Sequence, residues 1–340
     1  MAALLLQKDP SLTPAQVQTA LRAGAALGTC PCQLAERPAP ASLDRASSRP
    51  EDLAEGETVE PASATSLLAL EPAIRIAAFG GVFALMALWE LLAPRRPLAI
   101  GRRRRWPSNL AIVALDTLAV RLLFPTAAVG TALLGEARGW GILPHLDLPG
   151  WLAAAVACVA LDLAVYLQHV LFHAVPALWR VHRMHHADLD FDVTTGSRFH
   201  PLEIVLSMGW KLTIVAALGP AAVAVLAFEV LLNATAMFNH GNVRLPERLD
   251  RWLRWIVVTP DMHRVHHSVV SAETNSNFGF NLPWWDRLLG TYRAQPMAGH
   301  DRMTIGLEQF RDPTDLRLDR MLIQPFREPL ASHQASRAGP

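Results

Sequence analysis

Residues 76 to 94 (IAAFGGVFALMALWELLAP) are nineteen positions interrupted by one charge, Glu90, close to the roughly 20 apolar residues with which a helix crosses a bilayer. A second apolar run, 109 to 134, carries Asp116, Arg121 and Pro125, and its polar side chains are expected to face other helices rather than lipid. A third begins at Trp151 and continues through Leu171. After a polar stretch, 203–218 and 220–238 form two further segments joined at Gly219-Pro220, a pair that ends one helix and can start another. The pattern predicts an all-α integral membrane protein of about four transmembrane helices, the 203–238 hairpin either spanning or re-entrant, with a histidine-rich helical cap on one membrane face.

The links orient the spans. Arg95, Arg96 and Arg102 to Arg105 lie between the first two runs, whereas the next link has one arginine, so the arginine-rich link is expected to be cytoplasmic. The third span then returns to the cytoplasm and delivers His169 and His173 there. The same arginines also suit anchoring to lipid phosphates. Residues 1–65, rich in Ala, Pro, Ser and Glu, lack the pattern of a secretory signal and are expected to be a disordered tail. The organisation expected beyond it is N-terminal transmembrane helices over 66–149, a catalytic domain over 150–293, and a polar C-terminal tail over 294–340.

Composition agrees with a membrane chain, with 51% hydrophobic and 18% charged residues. The net charge of +1 gives no global attraction to nucleic acid. Cys30, Cys32 and Cys158 cannot build a disulfide framework and lack the spacing of a zinc ribbon or iron–sulfur cluster. Histidine is the unusual residue: ten of the thirteen fall between His169 and His267. His145, His300 and His333 are expected at the surface. Arginine far outnumbers lysine, which points to a GC-rich genome and a bacterial plasma membrane.

His169 and His173 are four residues apart, on one helical face, and can share one metal. Asp162 and Tyr166 continue the same stripe. Asp162 is expected to line the site or orient a histidine, the alternative being a plain pair with Arg121. His182-Arg-Met-His185-His186 and His263-Arg-Val-His266-His267 repeat one pattern eighty-one residues apart, which accident explains poorly. These eight imidazoles exceed what one ion takes, so two metals are the economical reading. His240 is expected as a further ligand. His200, beside Pro201 and ahead of Glu203, is weighed as a ligand against a group that caps a helix or orients a ligand.

Imidazole suits iron, zinc, copper and nickel alike. The zincin motif, with its glutamate between two histidines, is absent, and haem would not use tight triplets. A metal transporter or metal-binding membrane protein is the reading from another class, but a transporter is expected to coordinate near the bilayer midplane on broken helices. Histidines crowded at the mouth of a lipid-embedded bundle fit two irons that activate oxygen against a C–H bond of a membrane-dissolved substrate.

The order HxxxH, HxxHH, single His, HxxHH resembles the fatty acid hydroxylase and sterol desaturase superfamily over roughly residues 150 to 293. The resemblance includes Asp162-x-x-x-Tyr166, Arg198-Phe-His-Pro-Leu-Glu203, Thr259-Pro260 and the closing run Asn277 to Tyr292. It implies a non-haem di-iron oxidoreductase that uses O2 and two electrons to hydroxylate, or alternatively desaturate, a fatty acyl chain, sterol, ether lipid or carotenoid. By it His169, His173, His182, His185, His186, His263, His266 and His267 are metal ligands, with His240, and electrons come from a separate ferredoxin or cytochrome docking on the cytoplasmic arginines. The chain departs from some members at Ala236, where they carry a second histidine four residues before His240.

Overall fold

A computed structural model of the chain describes residues 68–327. The expected tail, the Cys30–Cys32 pair and His333 lie outside the described residues. Among these there are helices and turns but no strand, with two isolated bridges, Pro94 to Val243 and Ser268 to Ile305.

The apolar runs become helices where the sequence lets them start and stop. Helix α1 is Glu71–Leu92 and α2 is Arg102–Leu123. The predicted run 109–134 breaks at Phe124-Pro125, because the residue before a proline is pushed out of the helical region, and α3 resumes at Ala127–Arg138. Helix α4 is Gly150–Ala174, and Pro176 opens α5, Pro176–His186. The hairpin is two 18-residue helices, α6 (Pro201–Leu218) and α7 (Ala222–Asn239), separated at Gly219, whose φ of +64° ends α6 in the left-handed conformation. A side chain at Gly219 would sit 1.9 Å from the carbonyl oxygen of Trp140, and one at Gly141 would sit 2.1 Å from the Gly219 nitrogen. Glycine at both positions lets the loop after α3 close on the hairpin.

Five segments are therefore long and apolar enough to cross a membrane: α1, the stretch Arg102–His145, α4, α6 and α7. Leu85, Leu88, Leu92, Leu118 and Leu122, on α1 and α2, are each more than half exposed. A surface of that kind is stable against hydrocarbon rather than water, and the protein is an integral membrane protein. The core lies between α3, α4, α6 and α7, where Ala128, Val129, Leu161, Val215, Val225 and Phe228 interdigitate. Helix α1 packs on α7 through Met86 and Met237. The polar residues of the second run divide: Asp116 is buried as expected, whereas Arg121 is exposed, because it falls near the end of α2 where its guanidinium can reach the interface.

Beyond α7 the chain builds a cap of short elements: α8 (Glu247–Leu253), α9 (Pro260–His266), α10 (Ser271–Thr274), α11 (Trp284–Leu288) and α12 (Leu318–Ile323). Trp252, Trp255 and Trp284 are 75%, 55% and 42% exposed, suited to the headgroup level where an amphipathic ring is at home.

The arginine-rich link is bound into this end of the bundle. Arg105 is wholly buried; Nε and one terminal nitrogen donate to the two oxygens of Asp188, each at 2.6 Å, and the other terminal nitrogen donates to Asp192 at 2.6 Å. Burial raises the pKa of Asp188, but the guanidinium more than offsets this and holds it at about 2. The carboxylate of Asp190 accepts the backbone N–H groups of Ala99, Ile100 and Gly101 at 2.7, 2.8 and 3.1 Å, satisfying donors just ahead of α2. Arg95 pairs with Asp261 and Asp301, and Arg96 donates to the carbonyls of His300 and Met303. Of the six arginines expected to dock a donor or anchor phosphate, only Arg103 and Arg104 are exposed. Arg95, Arg96 and Arg105 are engaged by carboxylates and carbonyls remote in sequence, and Arg102 by Glu90, twelve residues before it.

Candidate metal centre

Four helix ends converge beneath the cap. Helix α4 brings His169 and His173 on its last turns, α5 carries His182, His185 and His186, α7 ends at His240, and α9 carries His263 and His266 with His267 at its C-cap. Thr259, whose hydroxyl accepts the Met262 N–H, and Pro260 at the first helical position start α9 at the register that aims its triplet inward. Gly196, in the turn after α5, makes room for His240: a side chain there would meet the Ala236 carbonyl at 2.5 Å and His240 Nδ1 at 3.1 Å.

The imidazoles sort into two groups, His169, His173, His182, His186 and His266 in one and His185, His240, His263 and His267 in the other, with ligand atoms in each lying within 4.8 Å of one another. The two triplets divide in complementary fashion. The i and i+4 residues of the first, His182 and His186, join the five-membered group and His185 joins the other; the i and i+4 residues of the second, His263 and His267, join the four-membered group and His266 crosses over. All nine are buried.

Hydrogen bonds fix which nitrogen is available. His169 Nδ1 lies 2.7 Å from the Phe278 carbonyl, His266 Nδ1 2.8 Å from that of Ser276, His240 Nδ1 2.8 Å from that of Ala236, and His182 Nδ1 2.6 Å from Glu203 Oε1. Each of these oxygens can only accept, so Nδ1 carries the proton and Nε2 keeps its lone pair. Yet Nε2 of His169 lies 3.1 Å from that of His182 and 3.0 Å from that of His266, and His240 Nε2 lies 3.2 Å from that of His185 and 3.1 Å from that of His263. In the first group, where Nδ1 of His169, His182 and His266 carries the proton, the Nε2 lone pairs face one another and repel at this range unless a cation lies between them. Two nitrogens each about 2.1 Å from one ion, at an angle near 90°, are about 3.0 Å apart, so the spacing is that of ligands sharing an ion. Both ring nitrogens of His267 are also buried without a partner, a costly state that a metal removes.

Burial is the main reason these rings stay neutral, with His182 and His240 pushed down to about 3. His185, His186, His263, His266 and His267 are held well below the usual range, first by burial and then by neighbouring imidazoles. Neutral imidazole is the form that binds metal.

His200 is not brought into either group. Its Nδ1 accepts the Leu202 N–H at 3.1 Å as the N-cap of α6, and its Nε2 lies 3.1 Å from the Leu322 carbonyl; Pro201 starts a new helix and points the ring at α12. Asp162 and Tyr166 belong to neither group. Asp162 Oδ2 accepts from Trp285 Nε1 at 2.8 Å and Leu282 N at 3.2 Å, and not from Arg121; the Tyr166 hydroxyl lies 2.9 Å from Thr291 Oγ1. They tether the closing run to α4. His300, expected at the surface, is 6% exposed and lies 3.8 Å from Asp261, enclosed by the cap.

Asp286 organises that run. Its Oδ1 accepts from Phe278 N and Thr291 Oγ1, and its Oδ2 from Gly279 N, at 2.7 to 2.9 Å, which presents the Phe278 carbonyl to His169. Burial raises the pKa of this carboxyl, and the donors around it oppose the rise. Sequence reasoning assigned no role to Asp286, to Glu203 or to the three carbonyls. The carbonyls carry no sequence signal, whereas the alternation Asp188-x-Asp190-x-Asp192 directly after the first triplet is a readable one.

A cavity of about 940 Å³ adjoins the first group, with His169, His182 and Glu203 in its wall. From there it runs among the membrane helices, past Phe172, Phe199, Met208, Phe228 and Phe280, to Arg75, Lys211 and Glu229.

Residues 154–291 match the family model for fatty acid hydroxylase. The chain is 33% identical over 138 residues to an ornithine lipid hydroxylase from Rhizobium tropici, covering 41% of each protein. It is 28% identical over 184 residues to human cholesterol 25-hydroxylase, covering 51% of this chain and 62% of that one. To human alkylglycerol monooxygenase it is 26% identical over 144 residues, covering 41% and 30%. The matches thus span less than two thirds of these relatives' length, and no solved structure matches. With two histidine groups seated at the mouth of a membrane bundle, residues 154–291 have the features expected of the fatty acid hydroxylase domain whose model they match.

Proposed function

We propose that the protein is a membrane-bound non-haem di-iron oxidoreductase that hydroxylates a C–H bond of a lipid. The observation that carries this reading is the contact of the five-histidine group, through His169 and His182, with a long and largely apolar cavity among the membrane helices. His169, His173, His182, His186 and His266 would hold one iron, and His185, His240, His263 and His267 the other. Bound irons would supply activation of O2, with two electrons and two protons, placing one oxygen atom in the C–H bond and releasing the other as water.

The chain's own residues bind and orient. Phe172, Phe199 and Phe280 line the histidine end of the cavity and exclude water, while Leu161, Met208 and Phe228 hold an alkyl chain along its length. Glu203 fixes the tautomer of His182, and the carbonyls of Phe278 and Ser276 fix those of His169 and His266. Ala236 contributes its carbonyl to His240 rather than a further imidazole, so the second group offers four ligands where the first offers five. Electrons would come from a separate ferredoxin or cytochrome whose acidic surface docks near the exposed Arg103 and Arg104, on the cytoplasmic face of a bacterial plasma membrane.

The direct test is turnover under ¹⁸O₂ with a chemical reductant and a panel of acyl, sterol and ether lipids, read by mass spectrometry. One ¹⁸O in a lipid product, lost in His169→Ala/His266→Ala, is the expected result. Loss of two hydrogens without ¹⁸O would identify a desaturase instead, and no product from an iron-loaded protein would overturn the reading.

A further inference from the structure

The two histidine groups open in different directions. The five-histidine group meets the lipid cavity through His169 and His182, and among the described residues no histidine of the other group lines that cavity. The four-histidine group is backed instead by Phe191, whose buried ring has its centroid 5.4 Å from that of His240 and 5.0 Å from that of His267. Phe191 in turn lines a second cavity, of about 180 Å³, formed at the capped end of the bundle by the arginine-rich link, the loop after α5 and residues 302–311. The wall of this cavity is tied to the same histidine. Gly306 N donates to the His267 carbonyl at 3.0 Å, and Val269 N to that of Thr304 at 2.9 Å.

Charge marks what the second cavity takes. Arg96, Arg302 and Arg311 lie in its wall with one carboxylate, Asp190. That carboxylate is occupied by the N–H groups of Ala99, Ile100 and Gly101 and lies 3.9 Å from Arg105; the exposed Arg103 and Arg104 follow directly in the chain. Arg96 donates to the carbonyls of His300 and Met303, and Arg311 to those of Ile305 and Leu307. Carbonyls hold the guanidinium groups in place but leave their charge uncompensated. Arg302 is exposed. Of the acids beside these residues in sequence, Asp301 pairs with Arg95 and Asp312 accepts the Thr314 N–H, and neither lines the cavity. The interfacial rings of the cap, Trp252, Trp255 and Trp284, take no part in its wall either, so the patch suits the carboxylates of a protein rather than a lipid surface.

We infer that an acidic one-electron carrier protein docks on Arg96, Arg302 and Arg311, above Phe191, and reduces the four-histidine group first, while the lipid is oxidised at the five-histidine group. This rests on the two-metal reading above. Each encounter moves one electron: the iron–sulfur cluster or haem of the carrier is oxidised by one, a metal in the four-histidine group is reduced by one, and no bond forms or breaks. Two encounters supply the two electrons of a hydroxylation. Phe191 fills the gap between carrier and histidines without itself being oxidised.

The test uses the full-length protein in phosphatidylcholine nanodiscs, with a plant-type [2Fe–2S] ferredoxin and an acidic b-type cytochrome domain as probes in surface plasmon resonance. At least one should bind with an affinity that falls as salt is raised. Arg302→Glu should weaken that binding about 10-fold and Arg302→Lys should keep it, whereas Arg248→Glu, an exposed reversal on α8, should leave it unchanged. Reduced carrier is then mixed without oxygen with ferric-loaded His169→Ala/His173→Ala, which keeps the four-histidine group, and with His240→Ala/His263→Ala, which keeps the other. The first should reoxidise the carrier and the second should not, although dithionite reduces both. Binding by neither probe, or binding that survives Arg302→Glu, overturns the docking site. Reoxidation by the variant that keeps only the five-histidine group overturns the order of reduction. Wild-type protein without iron counts against the two-metal reading instead, and the binding comparison still decides the docking site.

Discussion

Five histidines of the centre, His169, His182, His185, His240 and His266, have an oxygen behind Nδ1. His182 has the only carboxylate in that role among the described residues, Glu203 Oε1 at 2.6 Å, and such partners contribute about 10- to 100-fold to metal affinity. Glu203→Gln is therefore expected to weaken one of two bound metals about tenfold in a chelator competition and to leave the other unchanged; equal affinity at both sites would contradict the role given to this carboxylate. His200→Ala should behave otherwise, costing about 1 kcal/mol of thermal stability as a lost helix cap while both metals remain. Loss of a metal in that variant would restore His200 as a ligand. The spacing of four that pairs His169 with His173, and the repeat of HxxHH, were legible in the sequence. The distribution of each triplet over two groups was not, because it depends on how α5 and α9 face each other across the site, and that is set by contacts remote in the chain.

At the scale of elements, the site is held by two devices. One is the closing run, which Asp286 folds back so that the Phe278 carbonyl meets His169. Asp286→Ala leaves buried N–H groups unpaired, at about 1–3 kcal/mol, and should release metal from the five-histidine group before the other; simultaneous loss of both would show that the run supports the whole cap instead. The other device is the Arg105 cluster, which ties the start of α2 to the loop following the first triplet. Arg105→Ala strands Asp188 and Asp192 without their cation and should cost about 3–5 kcal/mol, read as a fall in thermal midpoint of the metal-free protein. A change of only a few tenths would mean that water replaces the guanidinium. The apolar runs foretold the membrane helices and the Gly219-Pro220 corner. They could not foretell the cap, whose short helices α8 to α12 carry little periodicity and are placed by single side chains such as Asp286 and Thr259.

Over the whole molecule, a cluster of neutral imidazoles is an acid liability. The rings outside the spans resist protonation in the fold, with His182 at about 3 against 6.5 for a free imidazole. The unfolded chain therefore binds protons first as pH falls. The metal-free protein should keep its full stability above about pH 7 and lose it progressively below about pH 6.5, by up to about 1.4 kcal/mol per pH unit for each such ring. A thermal midpoint that rises on acidification from pH 7 to pH 5 would contradict the burial on which the site rests. Bound metal should shift this loss to lower pH, since the proton and the ion compete for the same Nε2.

The central claim, two metals held by two separable sets of histidines, is tested most directly by elemental analysis of protein purified from iron-supplemented cells. Wild-type protein should be measured beside His169→Ala/His173→Ala, which strips the first group, and His240→Ala/His263→Ala, which strips the second. About two irons in wild type, about one in each double variant and none when the variants are combined is the result this account predicts. One iron in wild type, or full metal content in either double variant, would contradict it.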